Sequence, residues 1–308
     1  MKGKYDIGVI QNKMRYSLLR LLKNIKFLMQ KDIKAVIEDS AYMSMKNMED
    51  YCIYEFKENY NELEHLNILD YGQTIEKLEK YPKSFCRFGD GEIDLINGKS
   101  LPFQKYDSRL AEILKRILMQ DSDSMYVGIN YNYFHSTKFM NEYNRRFYLL
   151  HTHSYREFLL KTCLKNREYI AAGFNQLYMI TENIDLSSYY EKIKDLFKDK
   201  EITLFVGKGV IDNLKYDVFE LAKSREYIYG PNKDAFSQYD YILDEARKIS
   251  RNRILCFILG PASKAIVYQL SQEGYLAWDI GHLAKDYDAY MRNESKTRDS
   301  IEKFFAPD

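Results

Sequence analysis

No stretch of about 18 consecutive apolar residues occurs in this 308-residue sequence, so no membrane-spanning helix is expected. The opening residues, MKGKYDIGVIQNK, lack the long apolar core and the small-residue cleavage site of an export signal, and a cytoplasmic protein is expected. An excess of one charge is also lacking. Lys and Arg number 46 against 45 Asp and Glu, a net charge of +1, which gives no reason to expect nucleic acid as a partner. The four cysteines, Cys52, Cys86, Cys163 and Cys256, show no paired spacing, and three of them sit in apolar stretches, so reduced, structural thiols are expected. There is no internal repeat and no low-complexity linker. The length allows one large or two modest domains.

What is present is a 45% hydrophobic content, enough for a sizeable core. Aromatics make up 15%, with 28 Tyr, and such rings serve either sugar stacking or ordinary core and surface packing. Leu18, Leu19, Leu22, Ile25 and Leu28 recur at helical spacing, which predicts an amphipathic helix over 13–34. Residues 1–34 hold nine Lys or Arg against two Asp, a local excess of seven. That face suits peripheral contact with anionic lipid, packing on the body of the protein, or homo-oligomer formation. Residues 35–70 also read as helical and polar, which makes 1–70 a helical basic extension.

From residue 71 to 308 the texture changes to β-rich runs alternating with helical periods. Strands are expected at 84–88, 125–129, 169–172, 202–206, 227–229, 253–259 and 276–279. Helices are expected at 73–79, 108–119, 155–164, 189–197, 212–223, 239–249 and 263–273. This alternation predicts an α/β protein with a Rossmann-like open sheet and helices on both faces, in which ligands gather at the carboxyl ends of strands.

Three segments carry candidate chemistry. In SFCRFGDGE a strand runs into Gly89, Asp90, Gly91 and Glu92. In a loop, two carboxylates one residue apart can direct oxygens at one hard cation such as Mg²⁺ and leave positions for diphosphate oxygens. Gly89 permits close approach to a ligand. Arg87 suits pairing with phosphate or with the carboxylates themselves. An acidic glycine turn with no ligand has the same composition.

In TLFVGKGVIDNL a buried strand enters Gly207, Lys208 and Gly209 before an expected helix, whose first amides would bind an anion. The third glycine of a dinucleotide fingerprint and the GK[ST] ending of a Walker loop are both missing. In RILCFILGPASKAIVYQLSQEGYLAWDIGH a strand ends at Gly260, Ser263 can cap the next helix with Lys264 beside it, and a further strand delivers Asp279 and His282. His282 reads as a metal ligand, an acid or base, or a hydrogen-bonded core residue.

Together these segments resemble the GT-D-type glycosyltransferases, bacterial enzymes of Rossmann-like fold that build glycans on adhesins and surface polysaccharides. The resemblance spans roughly residues 72–290 and is carried by RFGDGE, by GPNKDAFSQYDYIL at 230–243 and by LGPASKAIVYQLSQEGYLAWDIGH at 259–282. It implies a divalent cation, Mn²⁺ or Mg²⁺, and a UDP-sugar at Asp90 and Glu92. The family pattern has acidic residues two and four positions beyond the histidine, where this chain has Ala284 and Asp286, so one expected carboxylate is absent.

The reaction expected is transfer of a sugar from a UDP-sugar to a hydroxyl of a protein-linked or lipid-linked glycan. The metal, on Asp90 and Glu92 with His282 as third ligand or diphosphate contact, would neutralise the departing diphosphate. Gly207, Lys208 and Gly209, and likewise Gly260, Ser263 and Lys264, would cradle phosphate. Asp286 would be the general base on the acceptor, with Asp94 its rival. A metal-dependent nucleotide-sugar hydrolase and a non-catalytic subunit of a membrane-associated glycan-assembly complex are the other readings.

Overall fold

The structure, a computed structural model, describes residues 33–56 and 64–306. Of the amphipathic helix expected at 13–34, residues 13–32 lie outside the described residues. Among the described residues eight strands form one sheet in the order β1-β4-β3-β2-β8-β7-β5-β6, and every paired neighbour is parallel. The strands are β1 (Asn67–Ile68), β2 (Ser84–Phe88), β3 (Met125–Ile129), β4 (Glu168–Ala171), β5 (Glu201–Gly207), β6 (Ser224–Gly230), β7 (Ile254–Ile258) and β8 (Ala277–Asp279). The interior strands are continuous apolar runs because both sheet faces are covered. All five residues of β2 are buried, and Phe85 of β2 stacks on its register partner Trp278 of β8 with ring centroids 5.5 Å apart.

The helices are α1 (Ile33–Phe56), α2 (Tyr71–Lys80), α3 (Asp90–Ile96), α4 (Ser108–Met119), α5 (Glu142–Thr162), α6 (Leu177–Ile180), α7 (Ser187–Asp195), α8 (Tyr239–Arg247), α9 (Ala262–Gln272), α10 (Leu283–Met291) and α11 (Arg298–Phe305). Among them α9 packs against α4 and α8, α2 against α7, and α6 against α10. Several starts are set by side chains that accept otherwise orphaned amides. Asp70 and Gln73 cap α2 reciprocally, Asp107 caps α4, and Asn141 caps α5.

The chain leaves β2 toward β3 and β4 on one side of the sheet and returns through β5, β6 and β7 to β8 on the other. The seam between β2 and β8 is therefore where strand order reverses, and a crevice opens beyond its carboxyl ends.

Helices α3, α6, α10 and α11 form where none was expected, and three further elements differ from expectation. β1 lies inside the segment expected to be helical extension, and it pairs with β4 through only two residues, too few to leave a periodic signal. The helix expected at 155–164 is the last part of α5, which begins at Glu142. The helix expected at 212–223 does not form. Asp288 accepts the backbone amides of Lys215 (2.8 Å) and Tyr216 (3.0 Å), and Asp217 accepts that of Phe219 (2.9 Å), so side chains compete for donors that a helical ladder would need. All four cysteines are free, and only Cys52 is exposed.

Candidate functional site

The D-x-E element is the first turn of a helix rather than a loop. α3 begins at Asp90 with Gly89 as its N-cap, and the Glu92 carboxylate reaches back to accept the Gly89 amide at 2.9 Å. The two carboxylates therefore diverge. Asp90 is open to solvent, whereas Glu92 is 8% exposed and its second oxygen lies 3.1 Å from the Lys264 ammonium.

Lys264 and Asp279 extend this contact into a buried chain of alternating charge. The Lys264 ammonium lies 3.2 Å from Asp279 and donates to the Gly260 carbonyl at 3.3 Å. Asp279 accepts the Arg87 backbone amide (3.1 Å) and its guanidinium (3.0 Å), and the Arg87 Nε donates to the Asp279 carbonyl at 2.8 Å. The far side of Arg87 donates to the Asn175 side chain at 2.8 Å, and Asn175 donates to the Ile280 carbonyl. Burial alone would lower the Lys264 pKa, but Asp279 and then Glu92 outweigh it and hold the ammonium above its ordinary value. Burial alone would likewise raise Asp279, and Arg87 and Lys264 outweigh it downward. The Lys264 ammonium and the Asp279 carboxylate thus offset each other's burial. Gly281 lets the guanidinium in. A Cβ there would stand 2.0 Å from an Arg87 nitrogen, and its φ of 45° favours glycine.

This network forms the floor of a cleft of about 550 Å³, within the range of small-molecule sites. One wall is the loop carrying Leu101, Pro102 and Phe103, which is tied to the 231–236 loop by Asp234 N to Phe103 O (2.8 Å) and Phe236 N to Gln104 (3.3 Å). The opposite wall is α5, with Tyr143, Phe147 and Tyr148, and Tyr148 donates to Asn130 at 2.7 Å. Among the described residues no cation pairs with Asp90. The crowded cleft walls, and then Glu92, push its pKa above the ordinary carboxylate value.

The structure brings Arg87, Gly89, Asp90, Glu92, Gly207, Gly260, Lys264 and His282 to this cleft. Others are placed elsewhere. Lys208 and Gly209 are exposed outside it, no helix follows them, and the Gly209 amide donates to Asp212 at 2.9 Å, so the expected phosphate cradle is absent. Ser263 is fully buried and its hydroxyl accepts the Leu259 amide at 3.0 Å, which turns it away from ligand. Arg87 spends its donors on Asp279, Asn175 and a carbonyl rather than on the D-x-E pair. His282 packs on Phe304 and Phe305, with ring centroids 5.1 and 5.8 Å away. Burial, then Lys285 and Arg87, lower its pKa to about 3, so its ring is neutral at physiological pH. Asp90, Glu92 and His282 do not assemble as a metal triad, and among the described residues no three His, Cys, Asp or Glu side chains do. Asp94 is paired with Lys99 at 2.8 Å and does not line the cleft.

Asp286 is corrected most sharply. It is fully buried outside the cleft and accepts the amides of Tyr178 and Met179 (both 3.0 Å) and the Tyr190 hydroxyl (2.6 Å), so it anchors α6 instead of meeting an acceptor. Asp286→Ala orphans three buried donors and is expected to cost on the order of 3 kcal/mol in chemical denaturation. Burial raises its pKa from 3.8 to about 7 against the pull of those three donors. The native state then holds a proton that the unfolded chain has lost. This contribution is full below about pH 4 and is lost as pH rises through about 7. The stability gap between wild type and Asp286→Ala should therefore narrow across that window, and a pH-independent gap would contradict the assignment.

Asn175, Asn130 and Phe103 lie in no motif and went unread in the sequence. The position of Asp279 at a strand end was the one available signal for its central role.

Residues 85–306 match the family model described as glycosyltransferase GT-D fold. A probable glycosyl transferase Gly of Streptococcus gordonii is 28% identical over 236 residues, covering 75% of this chain and 34% of that protein. Glycosyltransferase GlyD of Streptococcus pneumoniae is 27% identical over 237 residues, covering 77% of this chain and 29% of that protein. The chain thus spans about a third of the length of these curated relatives. A solved structure described as a highly conserved domain of unknown function with a distinct glycosyltransferase fold superposes with a TM-score of 0.70 at 29% identity, covering 82% of this chain and 85% of that one. A new glycosyltransferase from Streptococcus sanguinis superposes with a TM-score of 0.71 at 28% identity, covering 76% and 87%.

Proposed function

The chain belongs to the GT-D-fold glycosyltransferase family, and from that premise we propose that it transfers a sugar from a UDP-sugar to a hydroxyl of a surface-polysaccharide or glycoprotein glycan, with the donor diphosphate lying between Asp90 and Lys264. The observation that carries this reading is the asymmetry of the cleft floor. A carboxylate that pairs with no cation among the described residues stands on one side, and an ammonium with the N-terminus of α9 on the other. The N-terminal end of α9, turned by Gly260 at φ 58°, suits phosphate oxygens, and Lys264, whose ammonium is held by Glu92, Asp279 and the Gly260 carbonyl, adds positive charge beneath them rather than a free donor.

The donor set suits Mg²⁺ or Mn²⁺ drawing most of its ligands from diphosphate and water, since Asp90 faces the cleft while Glu92 is occupied by Gly89 and Lys264. Such an ion would offset the charge on the departing diphosphate. The chain's own residues hold the donor. Glu92 fixes Lys264, Asp279 fixes both Lys264 and Arg87, and neutral His282 adds no charge of its own. The ring-lined wall on α5 suits the sugar. No described helix is long and apolar enough to cross a membrane, and the basic surplus of residues 1–34 would bring the enzyme to a lipid-linked acceptor by surface attraction.

The test is thermal stability. With Mg²⁺, UDP at about 100 times its dissociation constant should add roughly 2.7 kcal/mol, and chelation should remove that gain. Equal stabilisation in excess chelator would show that Asp90 does not act through a cation, and no stabilisation in either condition would defeat the donor reading.

A further inference from the structure

A second cavity, of about 350 Å³, lies beside the donor cleft, lined by Asp70, Tyr71, Tyr131, Asn132, His135 and Phe139 among others. The two hollows share their partition. Gly173 faces the cleft, and a Cβ on it would lie 3.4 Å from the ring of Tyr71, which faces the cavity. Along the chain, Asn130 lines the cleft and Tyr131 the cavity, while Ile180 lines the cleft and Thr181 the cavity. Both hollows therefore draw residues from the loops that leave β3 and β4, at the carboxyl ends of the sheet.

The cavity is ring-lined and braced. Tyr131 and His135 stack in parallel, with centroids 3.7 Å apart and an interplanar angle of 2°, and Tyr71 tilts against Tyr131 at 5.6 Å. The His135 Nδ1 bonds the Tyr131 carbonyl at 3.0 Å, the Tyr71 hydroxyl donates to Asn132 at 2.5 Å, and Asn132 donates to the Ser136 carbonyl at 2.6 Å. Burial lowers the His135 pKa, so the platform is uncharged at neutral pH. Phe139, 70% exposed, stands at the cavity on a segment fixed by the Met140–Thr181 bridge. The lining is chiefly ring faces and aliphatic groups, and Asp70 uses one carboxylate oxygen to cap α2. A pyranose presents the complement, an apolar C–H face bordered by hydroxyls.

We propose that this cavity is an acceptor subsite that stacks a pyranose unit of the glycan, adjacent to the unit whose hydroxyl attacks the donor. The inference rests on the donor reading of the neighbouring cleft, because the shared partition is what places an acceptor there.

Saturation-transfer NMR with chitotriose, maltotriose and cellotriose, and with 1-octanol as an aliphatic probe, tests it. At least one trisaccharide should receive saturation on its C–H protons and keep it in saturating UDP with Mg²⁺. That signal should fall at least fivefold in Phe139→Ala and His135→Ala, and His135→Phe, which restores a flat ring, should recover it. Phe139 is mostly exposed, so its variant retains the fold and carries the test even where the His135 variants do not. Transfer to octanol alone, displacement by UDP, equal signals in Phe139→Ala, or no signal from any trisaccharide would overturn the proposal. UDP stabilisation measured on the same samples reports the donor reading separately. Its absence beside a variant-sensitive saccharide signal would defeat that reading and leave the cavity as a sugar site.

Discussion

Asp90→Asn is expected to lower kcat by on the order of 100- to 1,000-fold, the loss typical of removing one preorganised electrostatic group from a reacting centre, while leaving the melting temperature nearly unchanged. The two halves of this expectation have separate causes. Asp90 faces the open cleft and pairs with no cation among the described residues, so little of the fold depends on its charge. At the first position of α3 the carboxylate also meets the helix dipole, a contribution of at most about 1 kcal/mol. Its charge is available to a ligand. Steady-state kinetics with a UDP-sugar, beside thermal melts, separates the two. Glu92→Gln should differ by losing stability as well, because Asp279 would be the one carboxylate left to Lys264 in the network. Wild-type turnover by folded Asp90→Asn would remove Asp90 from the donor site.

Asp279→Ala should destabilise the protein by about 3 to 5 kcal/mol, the cost of stripping a buried ion network of one partner. Asp279 is 1% exposed and is the shared counter-ion of Arg87 and Lys264, so its removal leaves two buried cations with Glu92 as their nearest remaining carboxylate in the network. The exposed pair Arg109–Asp240 supplies the contrast. Both of its side chains are largely in water, and Asp240→Ala should leave stability nearly unchanged. Urea denaturation of the two variants makes the comparison, and equal small losses would mean that the network beneath the cleft is not what holds β2 to β8.

The strands were legible in the sequence because parallel strands buried on both faces are unbroken apolar runs. Residues 84–88 and 125–129 match β2 and β3 to the residue. The family resemblance, read from RFGDGE and the 259–282 segment, agrees with the match over 85–306. What failed was whatever long-range hydrogen bonds decide. The periodicity of 212–223 suits a helix, but Asp288, some 70 residues further on, takes the amides of Lys215 and Tyr216. Asp286 follows His282 closely in the chain, yet a helix turn points its carboxylate inward to Tyr190 and α6. Asp90 and Glu92 look equivalent as letters. The helix that starts between Gly89 and Asp90 separates them, sending one into the cleft and the other to its own N-cap. Asn175 carries no local signal, because its role exists only where the segment after β4 meets β2 and β8.

Hydrogen–deuterium exchange with and without UDP and Mg²⁺ tests most directly the claim that the donor lies over the seam between β2 and β8. Protection is expected in the segments around Gly89–Glu92, Gly260–Lys264 and Asp279–His282, with Lys208 and Gly209 unchanged, because the cleft is built from the first three and the last two stand outside it. Protection centred on Lys208 and Gly209, with the three seam segments exchanging as in the free protein, would place the donor elsewhere and contradict the account.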